Sequence, residues 1–111
     1  MKITTRSSNG VVIIDLEGDL MPGFGRERLS ETVADLLDEG NRSFLLNMSK
    51  APRIDSSGVG ALVRSFASIR KLNGQLKLVR PSSFVKRVFE LTRLITVFDI
   101  FDDEASAISS F

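Results

Sequence analysis

Short apolar runs alternate along this chain with longer stretches whose apolar residues recur every three or four positions. That alternation leaves few folds open. The runs are Val11 to Leu16, Phe44 to Met48, Gln75 to Val79 and Ile95 to Phe101. Val11-Val12-Ile13-Ile14 is dense enough in β-branched residues to belong in a sheet interior. Ahead of it Lys2 to Arg6 is β-prone, and Asn9-Gly10 joins the two as a hairpin because both residues tolerate positive φ. Glu17 to Gly25 reads as a loop, with three glycines and Pro22.

The stretches between runs have helical period. From Arg26, the residues Leu29, Val33, Leu36 and Leu37 share one face, Glu27, Glu31, Asp35 and Asp38 face away, and Gly40 is a stop signal. Leu62, Phe66, Ile69 and Leu72 mark a second helix that ends at Asn73-Gly74. Phe84, Val88 and Leu91 mark a third, entered through the capping serines of Pro81-Ser82-Ser83. Asp102-Asp103-Glu104 places acids at the head of a short fourth, from Ala105 to about Ser110, where they suit the helix dipole. The order β, β, α, β, α, β, α, β, α predicts a single α/β domain over residues 1–111: a mixed, mostly parallel sheet of about five strands with about four helices packed on it.

Composition excludes several functions. Neither Cys nor His occurs, so disulfides, thiol nucleophiles, thiolate or imidazole metal sites and the usual general base near neutral pH are absent. No Asp-rich loop with calcium-binding spacing is present, and no cofactor is expected. The 15 Lys and Arg nearly balance 14 Asp and Glu and are scattered, which argues against nucleic acid as a partner. Val11 to Ile14 is far too short to span a bilayer, so membrane insertion is not expected and a cytoplasmic protein is the default reading.

The stretch with chemical promise is Ile54-Asp55-Ser56-Ser57-Gly58-Val59-Gly60, between the Phe44 to Met48 strand and the helix from Ala61. It places two serines and a carboxylate at a helix N-terminus, whose backbone N–H groups lack partners within the helix and whose dipole favours negative charge. A phosphate on either serine would be electrostatically welcome there. A structural explanation stands beside this one, since Asp and Ser are ordinary N-cap residues and Gly permits tight backbone geometry. Three capping-type residues in a row exceed that need. Gly58-Val59-Gly60 is no dinucleotide fingerprint, because Val63 stands where a third glycine would. A Gly-x-Ser-x-Gly elbow is also missing, so the protein reads as a non-enzyme. Most phenylalanines read as core; Phe24, beside Met21 in the Gly-rich loop, is either a docking surface or folded back on the sheet edge.

This motif, following Phe44-Leu45-Leu46-Asn47-Met48-Ser49, closely resembles the signature of bacterial anti-sigma-factor antagonists of the STAS superfamily. The similarity covers nearly the whole chain, including Leu16-Glu17-Gly18-Asp19-Leu20 and the Phe101-Asp102-Asp103 approach to the last helix. The resemblance implies a STAS-like fold and a partner switch. The unphosphorylated domain would bind an anti-sigma factor that is also a serine kinase and so free a sigma factor. Phosphorylation of the second motif serine, Ser57 here, would end that binding, and a serine phosphatase would restore it. The partner surface then comprises Asp55, Ser56, Ser57 and Gly58, flanked by Lys50, Arg53 and the loop from Asp19 through Met21 to Phe24. One departure is plain: family members commonly carry Asp directly after the Gly-x-Leu segment, and this chain has Met21. Two rivals stay open, a non-switching STAS subunit of a larger signalling or transport assembly and a small phosphohydrolase or ligand-binding protein.

Overall fold

The hairpin sets the sheet. Strand β1 (Lys2–Ser8) runs antiparallel to β2 (Val11–Glu17), with Ser8 opposite Val11 and Lys2 opposite Glu17. Asn9 and Gly10 make the turn at φ +51° and +79°, the left-handed pair a two-residue hairpin needs. This computed structural model describes residues 1–21 and 26–111, with only the backbone of Arg26. The sequence expectation for Phe24 therefore lies outside the described residues.

From there the chain adds parallel strands in order: β3 (Ser43–Lys50), β4 (Gln75–Val79) and β5 (Asp99–Phe101), giving a sheet ordered β1-β2-β3-β4-β5. The connections are α1 (Arg26–Asp38), α2 (Ser56–Lys71) and α3 (Ser83–Leu91), and α4 (Glu104–Ser109) follows β5. Alternate strand residues divide into two cores. Val12, Ile14, Phe44, Leu46, Leu76 and Leu78 pack with α1, α2 and α3. Val11, Ile13, Leu45 and Val79 pack with Ala107 of α4. Both cores are served by strands β2 and β3, which is why they read as unbroken apolar runs.

Helix α2 stops as expected. Asn73 takes φ +63°, its N–H donates to the Arg70 carbonyl, and the Gly74 N–H donates to that of Ile69, so two of the last carbonyls are satisfied.

Three sequence expectations are corrected. The last strand is only Asp99–Phe101, because Arg93 enters the left-handed region and Leu94–Thr96 winds into a 3-10 turn. On α3 the buried face is Val85 and Phe89; Phe84 and Leu91 are 51% and 70% exposed, with Val88 between the two extremes. Apolar residues cover more than half of this helix, and the sheet takes only one stripe of them. Leu72 is exposed because α2 has ended at Lys71.

A polar cluster ties the chain ends together. Arg6 forks onto both carboxylate oxygens of Asp15, at 2.8 and 3.1 Å, and onto Glu104 of α4. Asn47 donates to Asp15 at 2.7 Å. The Arg6 guanidinium holds the Asp15 and Glu104 carboxyls below their usual range. Carboxyls depressed in the folded state add stability above their unfolded pKa, and that stability is lost as pH falls through the folded values. Arg6→Met is therefore expected to lose about 1 kcal/mol at neutral pH and to flatten the acid limb of the stability profile, read by urea unfolding across pH 3 to 7.

Candidate functional site

Helix α2 starts on a carboxylate. Asp55, its N-cap, is extended at φ −111° and ψ −175°, and its Oδ1 accepts from the Gly58 N–H at 2.9 Å. The same oxygen accepts from the Ser57 hydroxyl at 2.6 Å. The Ser57 hydroxyl first, and the Gly58 N–H next, hold the Asp55 carboxyl below its usual range, so it stays an anion. Ser57 is half-buried and Ser56 exposed. Any group esterified to Ser57 Oγ removes the proton that Asp55 accepts. A phosphate would put a second anion beside the first, on a turn whose N–H groups favour one.

The turn is braced from two sides. Past a register shift near the end of β2, the segment Gly18 to Leu20 runs beside the β3–α2 connection: Gly18 N–H donates to Lys50 O at 2.8 Å and Leu20 N–H to Arg53 O at 3.0 Å. Leu20 and Ile54 form a parallel bridge, both buried. Gly58 meets this segment so closely that a Cβ there would stand 2.1 Å from the Leu20 carbonyl oxygen and 2.7 Å from Ile54 Cγ1. On the other side Ser82, the N-cap of α3, accepts from the Val85 N–H at 3.1 Å and donates to the Pro52 carbonyl at 2.8 Å. Neither the Leu20 contact nor the Ser82 tie has a sequence signal, since both join segments far apart in the chain.

The sequence candidates divide by place. Asp55, Ser56, Ser57 and Gly58 form the first turn of α2. Asp19 and Arg53 face each other across the bridge segment, with Arg53 Nε and Nη2 at 3.1 and 2.6 Å from Asp19 Oδ2. Asp19 is thus committed to Arg53, whose own side chain is 63% exposed. Met21 follows Leu20 and is half-buried. Lys50 lies at the end of β3 and lines a separate groove of about 250 Å³ with Thr4, Asp15, Glu17 and Asn47. Among the described residues no group of acids could hold a metal ion, and no helix is long and apolar enough to cross a membrane.

The site is a braced helix start that presents two serines, one of them hydrogen-bonded to the carboxylate that caps the helix. The chain belongs to the STAS domain family, whose profile matches residues 2–107. Over its full length it is 25% identical to BtrV of Bordetella bronchiseptica, assigned as an anti-sigma factor antagonist, and spans 95% of that protein. A crystal structure from Thermotoga maritima with the same assignment superposes at a TM-score of 0.91 and 28% identity, covering 97% of this chain and 92% of that one. The phosphorylated form of SpoIIAA, a Bacillus cell fate determinant, shares the fold at a TM-score of 0.76 and 22% identity over 98% of both chains.

Proposed function

We propose that this protein is an anti-sigma-factor antagonist whose hold on an anti-sigma factor is governed by phosphorylation of Ser57. The observation that carries this reading is the Ser57 hydroxyl, donated at 2.6 Å to a carboxylate that caps the same helix. A kinase replaces that donor with a dianion, and Asp55 then repels what it had held. The first-turn N–H groups let the free protein tolerate the new charge. A partner packed over the turn has no such compensation and is released. The protein is a binding module in this scheme and not an enzyme; the kinase activity resides in the anti-sigma factor, and a separate serine phosphatase resets the switch.

The bound face extends from the turn to α3. Phe84 and Leu91 stand exposed on a helix whose cap is tied to Pro52, so an apolar strip adjoins the switch loop. Arg53 supplies a cation at its edge, held in place by Asp19. Apolar side chains and a fixed Arg beside a small central feature are the usual make-up of a docking surface.

Intact mass after incubation with ATP and host-cell extract tests the assignment. A phosphate-sized gain is expected in the natural protein and in Ser56→Ala, and none in Ser57→Ala. If an extract active on a related antagonist leaves this protein unmodified, the switch reading fails and the non-switching STAS subunit replaces it.

A further inference from the structure

The two edges of the sheet are guarded unequally. Strand β5 is only three residues long, and Asp99 stands exposed on it. A short, charged edge of that kind resists pairing with another chain. Strand β1, at the other edge, has seven residues matched one for one with β2, without a bulge or a proline. Its Ile3-Thr4-Thr5 stretch is β-branched throughout, and Thr4 to Ser7 are exposed. Arg6, the one charge in mid-strand, is neutralised by Asp15 and Glu104. A hairpin closed by two residues makes Ser8 and Val11 exchange backbone bonds, and Arg6, Thr4 and Lys2 follow at every second place. Ile3, Thr5 and Ser7 therefore turn N–H and C=O outward, where among the described residues they have no backbone partner.

We infer that β1 is a homodimer edge, pairing antiparallel with β1 of a second copy about a two-fold axis at Thr5. In that register Thr5 meets its own counterpart, Ile3 meets Ser7, Thr4 meets Arg6 and Lys2 meets Ser8. All three outward residues are bonded, and each cation lies opposite a hydroxyl. An axis at Thr4 would set Lys2 against Arg6, and one at Arg6 would set two guanidiniums face to face. An axis at Ile3 or Ser7 would leave part of the edge unpaired. The row is thus self-complementary in a single register, which selects a second copy over a foreign strand. One seven-residue edge falls short of the roughly 1,200–2,000 Å² of a stable interface, so the dimer is weak and concentration-dependent. The serine turn stays open in it, because that turn follows β3, and β2 lies between β3 and the edge.

The dimer forms whether or not Ser57 accepts a phosphate, and its test is independent of the switch. Sedimentation equilibrium is expected to show monomer and dimer with a Kd on the order of 100 μM, the weak class that a small interface allows. Thr5→Pro removes an outward N–H and none of the bonds to β2, so it should stay folded and be monomeric at every concentration. Thr5→Lys and Thr5→Glu should each weaken association roughly fivefold by setting like charges opposite one another at the axis. An equimolar mixture of those two should associate at least as tightly as the natural protein, because position 5 of one copy then meets its opposite charge on the other. The proposal is overturned by a protein still monomeric at about 1 mM, by a dimer that survives Thr5→Pro, or by charge variants that fail to rescue each other.

Discussion

Gly58→Ala is expected to destabilise the fold by about 3 kcal/mol, the upper part of the range for overpacking a tight site. Neither neighbour of the new methyl can swing aside. One is the carbonyl oxygen of Leu20, 2.1 Å from the Cβ position, and the other is Ile54 Cγ1 at 2.7 Å. The Leu20 main chain is fixed by its bond to Arg53 O and its bridge to Ile54, and both side chains are buried. Relief therefore requires the Gly18 to Leu20 segment to lift off the helix, taking the Asp19–Arg53 pair with it. Gly60→Ala, two residues on, is the control. There the nearest obstacle is the flexible Arg64 guanidinium at 3.1 Å, and replacing a helical glycine should add about 0.5–1 kcal/mol of stability. Urea midpoints of the two variants should move in opposite directions. Equal midpoints would mean that the Leu20 segment does not rest on α2.

Ser57→Asp should weaken binding to the cognate anti-sigma factor on the order of 100-fold, as expected for an unpaired like charge brought into an interface. The new carboxylate stands where the hydroxyl now donates to Asp55, and it offers that anion no proton. Ser57→Ala should keep binding within a few-fold, because Asp55 still caps the Gly58 N–H and no charge is added. Calorimetric titration of both variants against the same anti-sigma factor separates the cases. Undiminished binding by Ser57→Asp would remove the charge argument altogether. Equal loss in both variants would show that the hydroxyl is a direct contact and that no electrostatic switch is needed.

The sequence carried the architecture further than the details. The Asn9-Gly10 turn, the apolar runs of β2 and β3, and the Asp55 cap all follow from local chemistry, and each lies where that chemistry puts it. The serine turn was legible for the same reason, since a cap, its donors and its helix are consecutive in the chain. What stayed hidden depends on partners distant in sequence. Val85 and Phe89, rather than Phe84 and Leu91, face the core from α3, because residues distant in sequence, such as Phe98 with its ring 5.5 Å from that of Phe89, settle which stripe is covered. The middle of β4 makes the point with a charged residue. Lys77 is only 7% exposed, and its ammonium donates to the carbonyl and hydroxyl of Ser110, both at 2.8 Å, beneath the ring of Phe111. Nothing near Lys77 in the chain announces those acceptors. The Leu20–Gly58 contact was hidden likewise, and it is the brace of the site.

The order of strands in the sheet bears on how the protein is made. Each parallel strand pairs with the one synthesised just before it, so a nascent chain can add β3, β4 and β5 to a growing edge without waiting for distant sequence. Cover for the two faces arrives unequally. Helices α1, α2 and α3 close one face as they emerge, while Val11, Ile13, Leu45 and Val79 on the other wait for α4, which follows all five strands. Until then the ribosome carries a nearly complete sheet with one oily side in water. Helix α4 thus acts as an internal chaperone for that face, and species in which it has not docked are the ones most prone to aggregate.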